Sequence, residues 1–191
     1  MFKTIVALLL AAPAFAQQAP AVEFFGGYSV QKTNVREYYK STPIIYSIRN
    51  RYENLDGWDF SITENRNRWF GGTLDVSGHY KTPNLLGSNN REQMHSILYG
   101  PRFSVRTRFF IPFVHALFGA TFMNVAVQPV GPHASDHSFA IAAGGGVDLK
   151  FHDAAAIRLL QAEYFHANAL GSNQNNYRAS AGLVFYVGKR K

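Results

Sequence analysis

Residues 177–187 read YRASAGLVFYV, a stretch in which every second side chain is apolar. Successive side chains of a β-strand point to opposite faces of the sheet, so this alternation predicts a strand with two unlike faces. The run is eleven residues long, whereas ordinary soluble strands have ~5–6 residues. Its apolar set is Tyr177, Ala179, Ala181, Leu183, Phe185 and Val187.

The same alternation recurs along the rest of the chain. It is clear in six further segments, which are residues 22–31, 57–63, 69–80, 95–106, 114–122 and 139–151, and weaker in residues 156–168. Short connections (65–68, 107–112 and 152–155) alternate with long ones (33–54, 81–94, 125–138 and 169–176). An even number of long strands joined in this rhythm is typical of a membrane barrel. We therefore predict an all-β chain that forms an eight-stranded antiparallel up-and-down transmembrane β-barrel.

The weak segment, residues 156–168, does not alternate in a single phase. If Gln161 and Glu163 share the polar face, Arg158 falls on the apolar face. A β-bulge would reconcile the pattern, and so would a position of Arg158 at the membrane interface. Both arrangements remain open at this point.

The first residues have the features of an export signal. Lys3 supplies a positive charge, residues 5–12 are apolar, and Ala14-Phe15-Ala16 matches a cleavage site. The apolar stretch is shorter than the ~20 residues that a membrane-spanning helix needs. We predict a cleavable signal peptide at residues 1–16, one barrel domain at residues 17–191, and export to the cell outer membrane.

The composition excludes several classes of protein. The chain has no cysteine, which rules out a disulfide framework and a cysteine nucleophile. It is 47% hydrophobic and 15% aromatic, too apolar for a disordered chain. Only 16% of its residues are charged, and the alternating strands place part of that charge on one face of the sheet.

The charged residues of the polar face are expected to point into the barrel. The lumen of an eight-stranded barrel is only wide enough for side chains to fill it. Charges packed there must pair, because isolated buried charges are strongly unfavourable. We predict a structural polar network and a lumen plugged by side chains. The network is predicted to contain Glu23, Asp59, Asp75, Arg102, Arg106, Asp148, Lys150 and Arg178.

An inverted barrel is the main structural alternative. A soluble exported barrel of the lipocalin kind would place the apolar face inside, around an apolar ligand. Its exterior should then be rich in lysine and glutamate, yet the polar face here is mainly Gly, Ser, Thr, Asp and Arg. The apolar face carries aromatic residues toward the ends of the strands, as membrane barrels do at both interfaces. This favours the membrane arrangement.

Five phrases occur in order along the strand pattern: residues 23–29 (EFFGGYS), 99–103 (YGPRF), 111–116 (IPFVHA), 144–148 (GGGVD) and 176–185 (NYRASAGLVF). In this order they resemble the small outer-membrane β-barrel family, the OmpA-type eight-stranded membrane domain. The resemblance covers almost the whole mature chain. It implies an integral outer-membrane protein of a Gram-negative envelope, with a structural or surface-interaction role.

The resemblance also implies partners. These are outer-membrane lipid and the barrel-assembly machinery during biogenesis, and the chain is expected to be a monomer without a peptidoglycan-binding domain. One feature departs from the family. Many such barrels end on an aromatic residue, but this sequence continues past Phe185 to Lys189-Arg190-Lys191.

The sequence offers little support for enzymatic chemistry. A lipid A-modifying barrel enzyme is the alternative, and its His-x-Ser pair is matched here only by His166-Ala167-Asn168. His133, Asp136 and His137 could bind a metal loosely, but they lie in a segment read as a loop. We expect no enzymatic activity, no cofactor and no metal.

Basic residues are concentrated in the first long connection, where tyrosines lie among them. There they would meet lipopolysaccharide phosphates at the cell surface, although a plain solvated loop is the simpler alternative. Basic and aromatic residues are also interleaved in nucleic-acid-binding proteins, but export separates this chain from nucleic acids, so we expect no nucleic-acid partner. The predicted lipopolysaccharide-contacting residues are Lys32, Arg36, Lys40, Arg49 and Arg51.

Overall fold

The computed structural model describes residues 19–40, 46–81, 90–127, 133–169 and 172–189, and the predicted signal peptide lies outside them. Eight antiparallel strands form a closed barrel in sequential order, as the sequence predicts. Among the described residues, no helix is long and apolar enough to cross a membrane. The strands are β1 (Val22–Lys40), β2 (Tyr46–Asn65), β3 (Phe70–Tyr80), β4 (Asn90–Ser104), β5 (Phe110–Val127), β6 (His133–His152), β7 (Ala155–Ala169) and β8 (Ser172–Val187).

The apolar faces of the strands form the outside of the barrel. In β8, Leu183 and Phe185 are 47% and 53% exposed, whereas Arg178 and Ser180 are buried in the lumen. The same division holds in β1 and β4, where the predicted polar faces point inward. This sidedness is the reverse of a lipocalin-like barrel, in which the apolar face surrounds the cavity.

The first hairpin is longer than the sequence pattern indicates. Residues 33–54 were expected to form a connection, but β1 and β2 pair continuously from Val22↔Glu64 to Lys40↔Tyr46. The prediction was wrong because the alternation of apolar and polar residues ends while the backbone ladder continues. Similarly, β6 begins at His133, inside the predicted connection 125–138. The side chains of Arg36, Lys40, Arg49 and Arg51 lie outside the described part of the chain.

A β-bulge in β7 explains the irregular pattern of residues 156–168. The pairing of β7 with β8 shifts register between Arg158 and Gln161. Leu159 and Leu160 are consequently both exposed on the outer face, while Arg158 and Gln161 are both buried. The extra residue changes the phase of the alternation, so Arg158 and Glu163 both reach the lumen.

The barrel closes through a close approach of backbone between its first and last strands. Gly27 of β1 faces Gly182 of β8 in the closing ladder. A Cβ atom at Gly27 would lie 2.2 Å from the carbonyl oxygen of Ala181, and one at Gly182 would lie 2.3 Å from that of Gly26. Both positions therefore require glycine for the two backbones to come this close.

Candidate functional site: the ion network in the lumen

The lumen contains two groups of charged side chains, one above the other. We call the end with the short turns 66–69, 105–109 and 153–154 the turn end, and the opposite end the hairpin end. The lower cluster, nearer the turn end, consists of Glu23, Arg102, Arg106, Asp148 and Arg158, and the upper cluster consists of Asp59, Asp75, His115, Glu163 and Arg178.

Asp148 is the centre of the lower cluster. Its two oxygens accept hydrogen bonds from Arg158, at 2.8 Å from Nε and 3.2 Å from Nη2. Arg102 donates to the same carboxylate at 3.2 Å and lies 3.4 Å from Glu23. Glu23 also pairs with Arg106. Each carboxylate of the lower cluster thus has two arginine partners, as buried charges require.

Aromatic rings separate the arginines of the lower cluster. The guanidinium carbon of Arg102 lies 3.9 Å from the centre of the Phe113 ring, and that of Arg158 lies 4.1 Å from the centre of the Phe25 ring. Phe25 and Phe113 are buried inward-facing residues of β1 and β5. Cation–π contacts of this kind stabilise a desolvated guanidinium.

Arg178 is the centre of the upper cluster. Its guanidinium donates to Glu163 at 2.6 Å from Nε and 2.9 Å from Nη2, and to Asp75 at 2.9 Å. His115 Nε2 lies 2.8 Å from Oε1 of Glu163. Three carboxylates, including Asp59, therefore share one arginine and one histidine, so the upper cluster is richer in acid than the lower one.

Gln161 joins the two clusters. Its amide oxygen accepts a hydrogen bond from Arg158 at 2.6 Å. Its amide nitrogen donates to Asp59 at 3.3 Å and to Glu163 at 3.1 Å. A neutral side chain with both a donor and an acceptor is suited to this position, because it faces a cation on one side and anions on the other.

Two carboxylate oxygens of the upper cluster lack a donor. Asp59 Oδ1 and Asp75 Oδ2 are buried and have no hydrogen-bond partner among the described residues. In the described part of the chain, no group of three or more histidines and carboxylates is arranged to hold a metal ion.

An apolar layer lies in the lumen above the upper cluster, toward the hairpin end, together with the buried polar side chains of Gln31 and Asn176. Phe165 of this layer lies beside Arg178, whose guanidinium carbon is 5.8 Å from the ring centre. The lumen therefore changes over a short distance from ion-paired side chains to a mixture of apolar and neutral polar ones. The layer consists of Met94, Leu98, Leu117, Met123, Ala140, Ala142, Phe165 and Ala167, all buried.

Seven of the eight predicted network residues take part in these clusters, and Lys150 is the exception. Lys150 pairs with Asp153 at 2.9 Å, in the turn between β6 and β7, where β6 also has an irregular register. The hydrogen bond from Lys150 lowers the pKa of Asp153. The alternation placed Lys150 on the inner face, but the bend of the chain into the turn directs it to the end of the barrel.

Sequence reasoning missed part of the network. Arg158, Gln161 and Glu163 were ambiguous because the bulge between them hides their common face. His115 is absent from the predicted network, yet it contacts Glu163. His166, in the closest match to a His-x-Ser pair, lies outside the network, and its Nδ1 is 2.9 Å from Oδ1 of Asn175.

A closed eight-stranded antiparallel barrel with an apolar exterior is the fold of the small outer-membrane barrels. Solved structures agree: Neisserial surface protein A (NspA) matches with a TM-score of 0.65 and 12% identity, over 89% of this chain and 99% of that one. Ail of Yersinia pestis matches with a TM-score of 0.58 and 15% identity, over 87% of this chain and 99% of that one. OprG of Pseudomonas aeruginosa matches with a TM-score of 0.57 and 13% identity, over 91% of this chain and 98% of that one.

Comparison with protein-family models and with curated protein sequences finds no match. At sequence identities of 12–15%, the structural similarity shows that these proteins share a fold with this chain and nothing more. The resemblance to small outer-membrane barrels noted in the sequence is confirmed at that level.

Proposed function

We propose that the protein is an integral outer-membrane barrel with a closed lumen and a structural or surface-interaction role, and that it is not an enzyme. The observation that carries this proposal is the sidedness of the wall. Large apolar side chains such as Phe118 and Ile97 are about half exposed, while arginines and carboxylates are buried inside. An exterior of this kind is stable in lipid and unfavourable in water.

Aromatic side chains at both ends of the wall support the membrane proposal. Near the turn end, the exposed ring of Phe103 packs against Phe70 and Trp69, with ring centres 5.0 Å and 6.1 Å apart. Toward the hairpin end, the exposed Trp58 donates a hydrogen bond to Tyr80. Membrane barrels carry such girdles at both interfaces. The strands have 11–20 residues, enough for the ~9–11 that a tilted spanning strand needs.

The membrane proposal is tested by fractionation. Expressed in a Gram-negative host, the protein should be recovered with the outer membrane as a monomer. Its electrophoretic mobility should change on heating, since folded barrels resist unfolding by detergent. Recovery as a soluble protein in the periplasmic extract, stable without detergent, would instead favour the lipocalin-like alternative. Lipid A of unchanged mass is expected whether or not the protein is present, and a changed mass would favour an enzyme.

The ion network and the apolar layer together support the proposal of a closed lumen. An ion that crossed the barrel would have to leave the charged clusters and pass the layer around Leu117 and Phe165, where the side chains are apolar or neutral. We expect little or no single-channel conductance in planar bilayers. A large and stable conductance would show that the lumen is open.

We further propose that the first hairpin contacts lipopolysaccharide phosphates. Lys32 is exposed on β1, and its ammonium lies 5.1 Å from the centre of the Tyr52 ring. Arg36 and Lys40 follow on β1, and β2 carries Arg49 and Arg51. A cationic hairpin at the cell surface would attract phosphate groups, with the attraction weakening at high salt.

The lipopolysaccharide proposal is tested with a variant in which Arg36, Lys40, Arg49 and Arg51 are replaced by Gln. Binding to lipopolysaccharide should fall, and the salt dependence should become weaker. A matched variant neutralises four cations at the opposite end, Arg66, Arg68, Arg108 and Lys189, and should bind normally. Sucrose octasulfate, the heparin analogue with which Ail was crystallised, serves as a second polyanion probe. An equal loss of lipopolysaccharide binding in both variants would mean that binding depends only on the net charge of the protein.

A further inference from the structure

A groove lies on the outer face of the barrel near the turn end, between β3 and β4. Its volume is about 580 Å³, and Phe70 and Tyr99 are among its lining residues. Glu64, at the end of β2, and Arg66, in the turn that follows, also line it. The groove thus combines apolar walls with one acidic and one basic side chain at the end of the barrel.

The groove exists because the wall lacks side chains at this point. Gly72 pairs with Glu64 on one side and with Pro101 on the other. A Cβ atom at Gly72 would lie 2.6 Å from the hydroxyl oxygen of Tyr99, so this ring extends over the glycine. The ladder between β4 and β5 also omits Gly100 and Pro101, because proline has no N–H to donate. The phenol therefore faces a floor made of backbone and a proline ring.

The two charges define the headgroup that would fit. A guanidinium binds phosphate through two parallel N–H donors, and a carboxylate accepts hydrogen bonds from an ammonium group. A lipid with both groups in one headgroup complements Arg66 and Glu64 together. A purely anionic headgroup would meet repulsion from Glu64, and a choline headgroup has no N–H to donate to it.

We propose that this groove binds phosphatidylethanolamine, with the phosphate at Arg66, the ammonium at Glu64, and an acyl chain over Gly72 and Pro101. The inference rests on the proposed membrane location, which places the turn end at the periplasmic leaflet. There the aromatic residues Trp69 and Phe70 lie at the height of the headgroups.

The test compares lipids that differ only in the headgroup. The full chain in detergent micelles is mixed with phosphatidylethanolamine, phosphatidylcholine and phosphatidylglycerol of identical acyl chains, and retained lipid is measured by native mass spectrometry. Phosphatidylethanolamine should be retained best. Glu64→Gln should lower its preference over phosphatidylglycerol about fivefold, as expected for one partly exposed ion pair. Arg66→Gln should weaken retention of all three lipids.

Matched variants control for charge at the same end of the barrel. Asp153→Asn and Arg108→Gln each remove one exposed charge from a turn that does not line the groove, and both should retain lipids as the unchanged protein does. Equal retention of the three lipids would overturn the inference, and so would an unchanged preference in Glu64→Gln. If the protein inserts into bilayers but shows no preference, only this inference fails. If it stays soluble without detergent, the membrane proposal fails with it.

Discussion

Arg178 and Glu163 face each other across β7 and β8 and are joined by two hydrogen bonds, from Nε to Oε2 at 2.6 Å and from Nη2 to Oε1 at 2.9 Å. Both side chains are fully buried. Because the same guanidinium also binds Asp75, and Glu163 also contacts His115, this one pair connects four strands across the lumen. The interior is therefore held together by charge as much as by apolar packing.

Replacing Arg178 with Met should destabilise the barrel strongly. It leaves Glu163 and Asp75 buried without their cation, and breaking a buried pair in this way costs about 3–5 kcal/mol. Urea unfolding in detergent micelles, followed by tryptophan fluorescence, measures the loss. Lys150→Met is the control, because its pair with Asp153 is at the end of the barrel, and it should change little. An equal loss in the free energy of unfolding in both variants would mean that the buried pair of Arg178 and Glu163 stabilises the barrel no more than the pair at its end.

Asp75 and Asp148 should respond in opposite ways to replacement by Asn. In Asp75→Asn, Oδ1 can still accept from Arg178, and the amide nitrogen replaces an oxygen that has no donor. The free energy of unfolding should be unchanged or higher. In Asp148→Asn, Arg158 loses its anion and Arg102 keeps only Glu23, and the loss in the free energy of unfolding should be about 3–5 kcal/mol. The same urea unfolding compares them, and a loss of equal size in both would contradict the excess of acid in the upper cluster.

Truncation of a side chain in the apolar layer should lower the stability of the barrel and raise its conductance. Phe165→Ala removes a fully buried ring, which costs about 3–5 kcal/mol in a packed interior, and conductance in planar bilayers should rise. Phe118→Ala removes an equally large ring from the outer face, where it is 53% exposed. That control should cost less stability and leave conductance unchanged. If both variants conduct alike, the layer does not form the barrier.

Deletion of Leu159 should be tolerated. Leu159 is the extra residue of the β7 bulge, and its removal would close the register shift beside Arg158 in the ladders to β6 and β8 while Arg158, Gln161 and Glu163 keep facing inward. Deletion of Ala162 would instead put Gln161 and Glu163 on opposite faces. The heat-dependent shift in electrophoretic mobility should survive the first deletion and be lost in the second. The reverse result would show that the bulge itself is needed for folding.

The sequence predicts the parts of the fold that depend on strict alternation. The inward positions of Arg178 and Arg102 follow from their strands alone, because one slip of register would expose an arginine on the apolar face. Alternation fails where one extra residue changes its phase, as it does between Arg158 and Gln161. It also fails beyond the wall, where both faces of the first hairpin carry polar and aromatic residues and no contrast marks the strand.

The two facing glycines of β1 and β8 also concern the order of assembly. Gly27 and Gly182 belong to the first and last strands, so their ladder can form only after the intervening strands are in place. Contacts between such distant parts of a chain form late in folding. With no side chain at either position, the last ladder, between β1 and β8, can pair without a steric clash. A bulkier residue there would leave a curled sheet with two unsatisfied edges, which is a template for aggregation.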